Sequence, residues 1–203
     1  MRIRRNITGA RKRSLTTRLF VNKDGTAAIE FAIVAPIFMA LMFSLFEIGW
    51  FFYTNSIVDA SVADAARLIE TGQLQKSTGT DEQKKQAMFN AVCNILHEFG
   101  DCTTRLTVEV QTFPDFATLA AANNPATCAD APQAERDAIP FSPGTELSIV
   151  RVRICFIYTT INPAIGVNVS EPGTNKRRLI SQSVFRSEPY LSNGSGGVGG
   201  TGS

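Results

Sequence analysis

TAAIEFAIVAPIFMALMFSLFEIGWFFY, residues 26–53, is the stretch around which the rest of the chain is organised. Between Glu30 and Glu47 lie 16 uncharged, largely apolar residues, and five more, almost all apolar or aromatic, follow Glu47 as far as Phe52. As a helix, these 28 residues reach about 42 Å, longer than the ~30 Å hydrocarbon core of a bilayer. Trp50 and Tyr53 fall at the far end, where amphipathic rings favour the headgroup level. Ahead of this stretch, residues 1–25 carry eight basic side chains (Arg2, Arg4, Arg5, Arg11, Lys12, Arg13, Arg18, Lys23) against one acid, Asp24. Taking these from the chain totals of 20 basic and 18 acidic residues leaves 12 and 17, so a basic head precedes an acidic body. The positive-inside bias then places the head in the cytoplasm and everything after the span outside it. A cleaved secretory signal would be shorter and would lead into a small-x-small site. Phe46-Glu47-Ile48-Gly49-Trp50-Phe51 offers none. Beside a membrane span the head's charge reads as topogenic, and no nucleic-acid partner is expected.

Outside the span, Asn55–Thr71 keeps a helical period through Ile57/Val58, Ser61/Val62, Ala65 and Leu68/Ile69, with Gly72 as its stop. Thr80-Asp81-Glu82-Gln83 is a capping-box signature opening a second helix, whose stripe is Ala87, Met88, Ala91, Val92, Ile95, Leu96 and Phe99, and Gly100 closes it. His97 sits near that helix end as a surface residue, favoured there by the macrodipole. Thr104–Phe113, Leu147–Thr159 and Leu179–Arg186 alternate as strands. The long connector between the first two has room for a short helix at Asp115–Ala122. Arg151 and Arg153 alternate on one strand face and are expected on a solvated surface, as is the run Lys176-Arg177-Arg178. The Gly/Ser-rich segment 193–203 reads as a flexible tail. The fold class expected is α+β: a long N-terminal transmembrane helix, one packing helix and a small antiparallel sheet. Four regions follow: a basic cytoplasmic leader at 1–25, the transmembrane helix at 26–53, an extracytoplasmic α+β domain at 54–192 and the tail.

All four cysteines, Cys93, Cys102, Cys128 and Cys155, follow the span, on the side expected to be oxidising. Four cysteines allow three connectivities, and a reduced Cys155 buried in its strand is a further alternative. The favoured pairing is Cys93–Cys102, joining the second helix to the first strand, and Cys128–Cys155, pinning the connector to the central strand. Their spacing lacks the close pairs of a zinc site, and a single histidine excludes a multi-histidine metal centre. No phosphate loop, nucleophile elbow or metal cluster is present in the sequence, so no catalytic residues, metal or cofactor are expected.

One acid stands out. Glu30 lies a turn inside the span, where a carboxylate at the bilayer centre would cost about 2.5–3.5 kcal/mol. A cut after Gly25 would create an ammonium on Thr26, one helical turn from this acid. Gly25-x4-Glu30-Phe31 at the head of an apolar helix resembles the processing site of type IV pilin-like proteins. The longer strings GTAAIEFAIVAP (25–36), FEIGW (46–50) and ASVADAARLIETGQ (60–73) resemble the TadE/TadG-like family of minor pseudopilins from tight-adherence (Tad, or Flp) pilus assembly. RVRICFIYTTINPAIG (151–166) and FRSEPY (185–190) are similar to that family's C-terminal strands. A departure is Asp24, which occupies the position where pilin leaders usually carry a basic residue.

The resemblance implies a pilin-like outline and no enzymatic activity. It implies a prepilin peptidase that cuts between Gly25 and Thr26, with Glu30 and Phe31 serving processing and assembly. The partners implied are other TadE-, TadF- and TadG-like pseudopilins, the Flp pilin and the inner-membrane platform proteins of the system, besides membrane lipid. Ala28, Ala32, Ala35, Pro36 and Ala40 are the expected helix-packing positions, since association inside lipid depends on small residues and close backbones. The expected location is the bacterial inner membrane, single-pass with the N-terminus cytoplasmic, with entry into a pilus as one outcome. The competing reading is a membrane-anchored extracytoplasmic enzyme or binding protein that uses the helix only as a tether.

Overall fold

The computed structural model describes residues 25–161 and 166–189; the basic leader up to Asp24 and the Gly/Ser tail lie outside the described residues. Its backbone is α1, Thr26–Glu70, a single helix of 45 residues and thus about 68 Å long. The helix changes character along its length. From Ile29 to Phe46 most of its large apolar side chains are exposed, with Met42 and Phe43 half-buried. From Glu47 onward one side is buried through Thr54, Val58, Ser61, Val62, Ala65, Ala66 and Ile69, the three- and four-residue spacing of a core-facing stripe. The buried hydroxyls of Thr54 and Ser61 donate to the carbonyls of Trp50 and Ile57 one turn back, so burial leaves them paired. The boundary between apolar rod and folded domain therefore falls inside one helix. Gly72 ends it with φ 72°, a left-handed conformation that glycine adopts without strain.

After a short α2 (Gln73–Lys76) comes α3 (Asp81–Leu96). Its capping box is complete: the Thr80 amide donates to Gln83 Oε1 at 2.9 Å and the Gln83 amide to Thr80 Oγ1 at 3.4 Å. Met88, Val92 and Leu96 are buried on its inner stripe. A 3₁₀ turn, His97–Phe99, and Gly100 close the helix, with His97 exposed beside Glu98. A helical turn, α4 (Cys102–Arg105), leads into β1 (Leu106–Phe113). Cys102 thus sits in this turn rather than in the strand itself. β2 (Ile149–Thr159) and β3 (Lys176–Arg186) complete an antiparallel sheet in the order β1-β2-β3. The fold is α+β, as the sequence leads one to expect.

The register, with Val110 opposite Val152 and Phe156 opposite both Leu106 and Leu179, aligns one apolar face. Val108, Val110, Val150, Val152, Ile154, Phe156 and Leu179 form one core with the inner stripes of α1 and α3. Period-two alternation places this face correctly, but its opposite face departs from expectation. Arg151 and Arg153, expected on a solvated surface, are only 6% and 5% exposed. The connector 114–148, which contains α5 (Phe116–Ala121) and α6 (Gln133–Asp137), runs over them. Its loops have carbonyls with no strand partner, and the guanidinium groups meet them. Arg151 Nη1 donates to Ala122 O at 2.9 Å, Arg153 Nη1 to Asn124 O at 2.6 Å, and Thr107 Oγ1 to Thr127 O at 2.6 Å. Arg153 also pairs with buried Glu109, and Arg151 with Gln111. Burial, then the neighbouring Arg153 charge, pulls Arg151 below the ordinary guanidinium value. The run Lys176-Arg177-Arg178 is exposed, with Arg178 paired to Asp130 and Glu171.

The disulfides are Cys93–Cys102 and Cys128–Cys155. The second fastens the connector to the central strand and closes 27 residues of sequence separation. Removing it with Cys128→Ser and Cys155→Ser together is expected to lower stability by about 2–4 kcal/mol. Thermal melts of the oxidised full chain in detergent measure this, and an unchanged midpoint would show that the arginine contacts alone hold the connector.

Candidate functional site

The two ends of the apolar half of α1 carry different chemistry. At the inner end, Gly25 is the N-cap residue of α1, with φ −98° and ψ −2° and no side-chain cap. A Cβ built on Gly25 meets nothing within 4 Å. Neither the backbone conformation nor packing among the described residues therefore calls for glycine here. Glu30 and Phe31 follow on the first turns, both exposed. They lie on a helix face that the folded domain leaves uncovered.

Of the small residues expected to pack helices, Ala28, Ala32 and Pro36 are exposed, and Ala35 and Ala40 are half-buried. At 3.6 residues per turn, Ala28, Ala32 and Ala35 share one face, while Ala40 lies about 120° round from Ala28. The helix runs through Pro36 without interruption, although proline supplies no amide to the Ala32 carbonyl. Ala40 lies against its own chain: a Cβ added to Gly166 would sit 3.0 Å from the Ala40 carbonyl oxygen. The structure thus separates an open face at Ala28, Ala32 and Ala35 from a position that the β2–β3 connection already approaches.

At the outer end sits a residue that sequence reading passes over. Glu47, which marks the far limit of the uncharged run, is 3% exposed. Its carboxylate accepts the Tyr158 hydroxyl at 2.8 Å and the Ile161 amide at 3.1 Å. Tyr158 ends the apolar face of β2, so this cluster ties the rod directly to the central strand. Burial first, then the hydrogen bond and charge of Glu47, pushes the Tyr158 phenol above its ordinary value, which keeps it a neutral donor. A lone acid amid Phe46, Ile48 and Trp50 was the available signal, but nothing local names Tyr158 as its partner, more than a hundred residues away. Glu47→Ala strands the buried Tyr158 hydroxyl and takes the acceptor from the part-buried Ile161 amide, and is expected to cost about 1–3 kcal/mol, most of it at Tyr158. Glu47→Gln, which keeps an acceptor, should lose less, as read from detergent-solubilised melts; equal losses would show that packing alone matters here.

Beyond Glu47 along α1, Trp50 and Tyr53 form an aromatic cluster with Phe99, with ring centroids 5.6–5.7 Å apart. Arg177 stacks over Phe51 at 5.5 Å. A groove of about 320 Å³ lies between α1 and α3 and is lined by Ser61, Asp64, Arg67, Gln73, Ala91 and Ile95 among others. The Ser61 hydroxyl in its lining is already committed to the Ile57 carbonyl of its own helix. Among the described residues, no group of three or more His, Cys, Asp or Glu side chains converges to hold a metal ion.

Residues 25–67 match the family model described as TadE-like protein. The matched segment begins on Gly25, includes Glu30 and Glu47, and ends on Arg67 within the buried half of α1. It is the family that the sequence strings resemble. No curated protein and no solved structure matches the chain. A TadE-like segment supports involvement in Tad pilus assembly.

Proposed function

We propose that this TadE-like chain is a minor pseudopilin of a Tad (Flp) pilus system, made as a precursor and cut between Gly25 and Thr26 by a prepilin peptidase. In this reading it is a single-pass protein of the bacterial inner membrane, with the leader cytoplasmic and the α+β domain outside. Its role is assembly, through packing of the apolar half of α1 against other pilin-like helices, and it carries out no catalysis. The observation that carries the reading is the division of α1. A bare apolar rod begins at the glycine where the TadE-like match begins, and the same helix then becomes the spine of a folded domain. A rod without a membrane or partner helices around it would leave Ile29, Phe31, Ile33, Val34 and Ile37 in water.

Packing in lipid gains nothing from hydrophobicity alone, so the small residues on one face, Ala28, Ala32 and Ala35, supply the close approach. The partners in this reading are TadE-, TadF- or TadG-like pseudopilins, the Flp pilin and the platform proteins of the inner membrane. N-terminal sequencing of the protein purified from its host membrane tests processing. The expected first residue is Thr26, leaving 178 of 203 residues. A mature protein that retains residues 1–25 would overturn the processing step and favour a helix that acts only as a tether.

A further inference from the structure

The membrane contact of this chain need not end with its helix. The β2–β3 connection leaves the sheet at Thr160 and returns at Asn175, where Thr160 N–H donates to Asn175 O at 3.0 Å. Between these points its described residues lie against α1, Ile161 at Glu47 and Gly166 and Val167 nearer the inner end, at Ala40 and Ser44. Val167 N–H donates to Ser44 Oγ at 3.0 Å. Gly166, with φ 97°, lies so close that an added Cβ would clash with Ser44 Oγ and meet Ala40 O at 3.0 Å and Ser44 N at 3.1 Å. Only a residue without a side chain seats there. Ala40 and Ser44 belong to the uncharged run of α1 and lie about 15 and 9 Å along the axis below Trp50.

Trp50, Tyr53 and Phe99 mark the level at which aromatic rings meet headgroups. Gly166 and Val167 therefore lie below that level, beside a rod whose large apolar side chains are mostly exposed. Its described flanks match this setting. Ile161 is 66% exposed and Val167 is 47% exposed, alongside the equally exposed Leu45 and Phe46 of α1. Two of its amides match it too. In water a loop N–H needs no protein partner, whereas in hydrocarbon each must have one. Ile161 N–H is taken by the Glu47 carboxylate and Val167 N–H by Ser44 Oγ.

We propose that the described ends of the β2–β3 connection, at Ile161 and Val167, make a second membrane contact, and that these two residues bury their side chains in the acyl region of the leaflet on the folded domain's side. The domain then sits against the membrane on this connection as well as on the aromatic cluster, with the sheet fixed in orientation relative to the bilayer. Glu47 and Ser44 act as positioning residues that hold the connection against the helix. The proposal rests on α1 being the membrane span, and the test separates the two.

Full-length protein carrying Trp50→Phe is reconstituted in phosphatidylethanolamine/phosphatidylglycerol vesicles doped with phosphatidylcholine brominated on the acyl chain. A single reporter is placed by Phe38→Trp in the span, Ile161→Trp or Val167→Trp in the connection, or Val184→Trp on the exposed face of β3. All four native side chains are exposed, so the reporters need not disturb the core. The Ile161→Trp and Val167→Trp reporters are expected to lose emission severalfold to the brominated lipid, as Phe38→Trp does, and to resist aqueous iodide. Val184→Trp should show the reverse. If Phe38→Trp is quenched by lipid while both connection reporters answer only to iodide, the connection is in water and the proposal fails with the span intact. If the connection reporters answer to neither quencher, a second copy covers this face and the proposal fails. If Phe38→Trp does not answer to lipid, the span reading itself falls and the proposal with it.

Discussion

Cells making the Gly25→Leu variant are expected to accumulate protein that keeps residues 1–25 and to be defective in pilus assembly. A protease must bring the backbone on both sides of the cut into an extended, close-fitting groove, and glycine has no Cβ to obstruct that approach. The fold itself places no such demand on position 25. Its φ of −98° suits any residue, and a Cβ there meets nothing within 4 Å. A defect would therefore report the peptidase rather than a damaged helix. Glu30→Ala completes the experiment. After cleavage the Thr26 ammonium lies about 6 Å along the axis from Glu30, close enough to pair within the chain or with a neighbouring subunit. An acid inside the span is costly, and removing it should permit insertion while weakening assembly. Pulse labelling distinguishes precursor from mature protein, and pilus counts read assembly. Normal cleavage of Gly25→Leu, or normal piliation with Glu30→Ala, would refute the respective step.

The second large effect concerns the covered face of the sheet. Arg153→Ala is expected to destabilise the folded domain by about 3–5 kcal/mol, because it breaks a buried ion pair from one side. Glu109 is 4% exposed and receives Arg153 Nη2 at 2.5 Å; without that arginine its carboxylate stays buried among β-strand neighbours and the connector. The Asn124 carbonyl loses its donor at the same time. Replacing both partners, as in Glu109→Leu with Arg153→Met, removes the buried charges together and should cost less than Arg153→Ala alone. Thermal melts of the full chain in detergent test the ranking. A loss under about 1 kcal/mol for Arg153→Ala, the range of exposed ion pairs, would show that water reaches this face and that the connector is only loosely seated.

Local signals in the sequence carry much of the fold. The capping box at Thr80, the stops at Gly72 and Gly100, and the Asp115-capped turn each depend on residues within a few positions of one another, and each is present. Local reading missed α6, five residues behind Pro132, and the single-turn helices α2 and α4, all too short to show a period. At the inner end, Gly25, Glu30 and Phe31 fall within one short string, which is why a resemblance in sequence alone can single them out. The outer end is not legible in this way. Glu47 reads as a span limit because its partners, Tyr158 and Ile161, come from the end of β2.

The division between the two kinds of information follows from distance along the chain. Composition and period suffice for the apolar rod, the helix that continues from it, the alternating strands and a set of cysteines confined to one side of the span. They are properties of short windows, and water or lipid imposes them whatever the rest of the chain does. Strand alternation also separates Arg151 and Arg153 from the core-facing residues of β2. It has no means of saying whether the other face meets water or protein, because that depends on where the connector 114–148, which has little period of its own, finally lies. Folding places that connector over the arginines, seats Glu47 under Tyr158 and brings Gly166 down to Ala40. Each of these contacts joins residues at least 25 positions apart, where the chain's path, rather than local preference, determines which polar groups must satisfy one another.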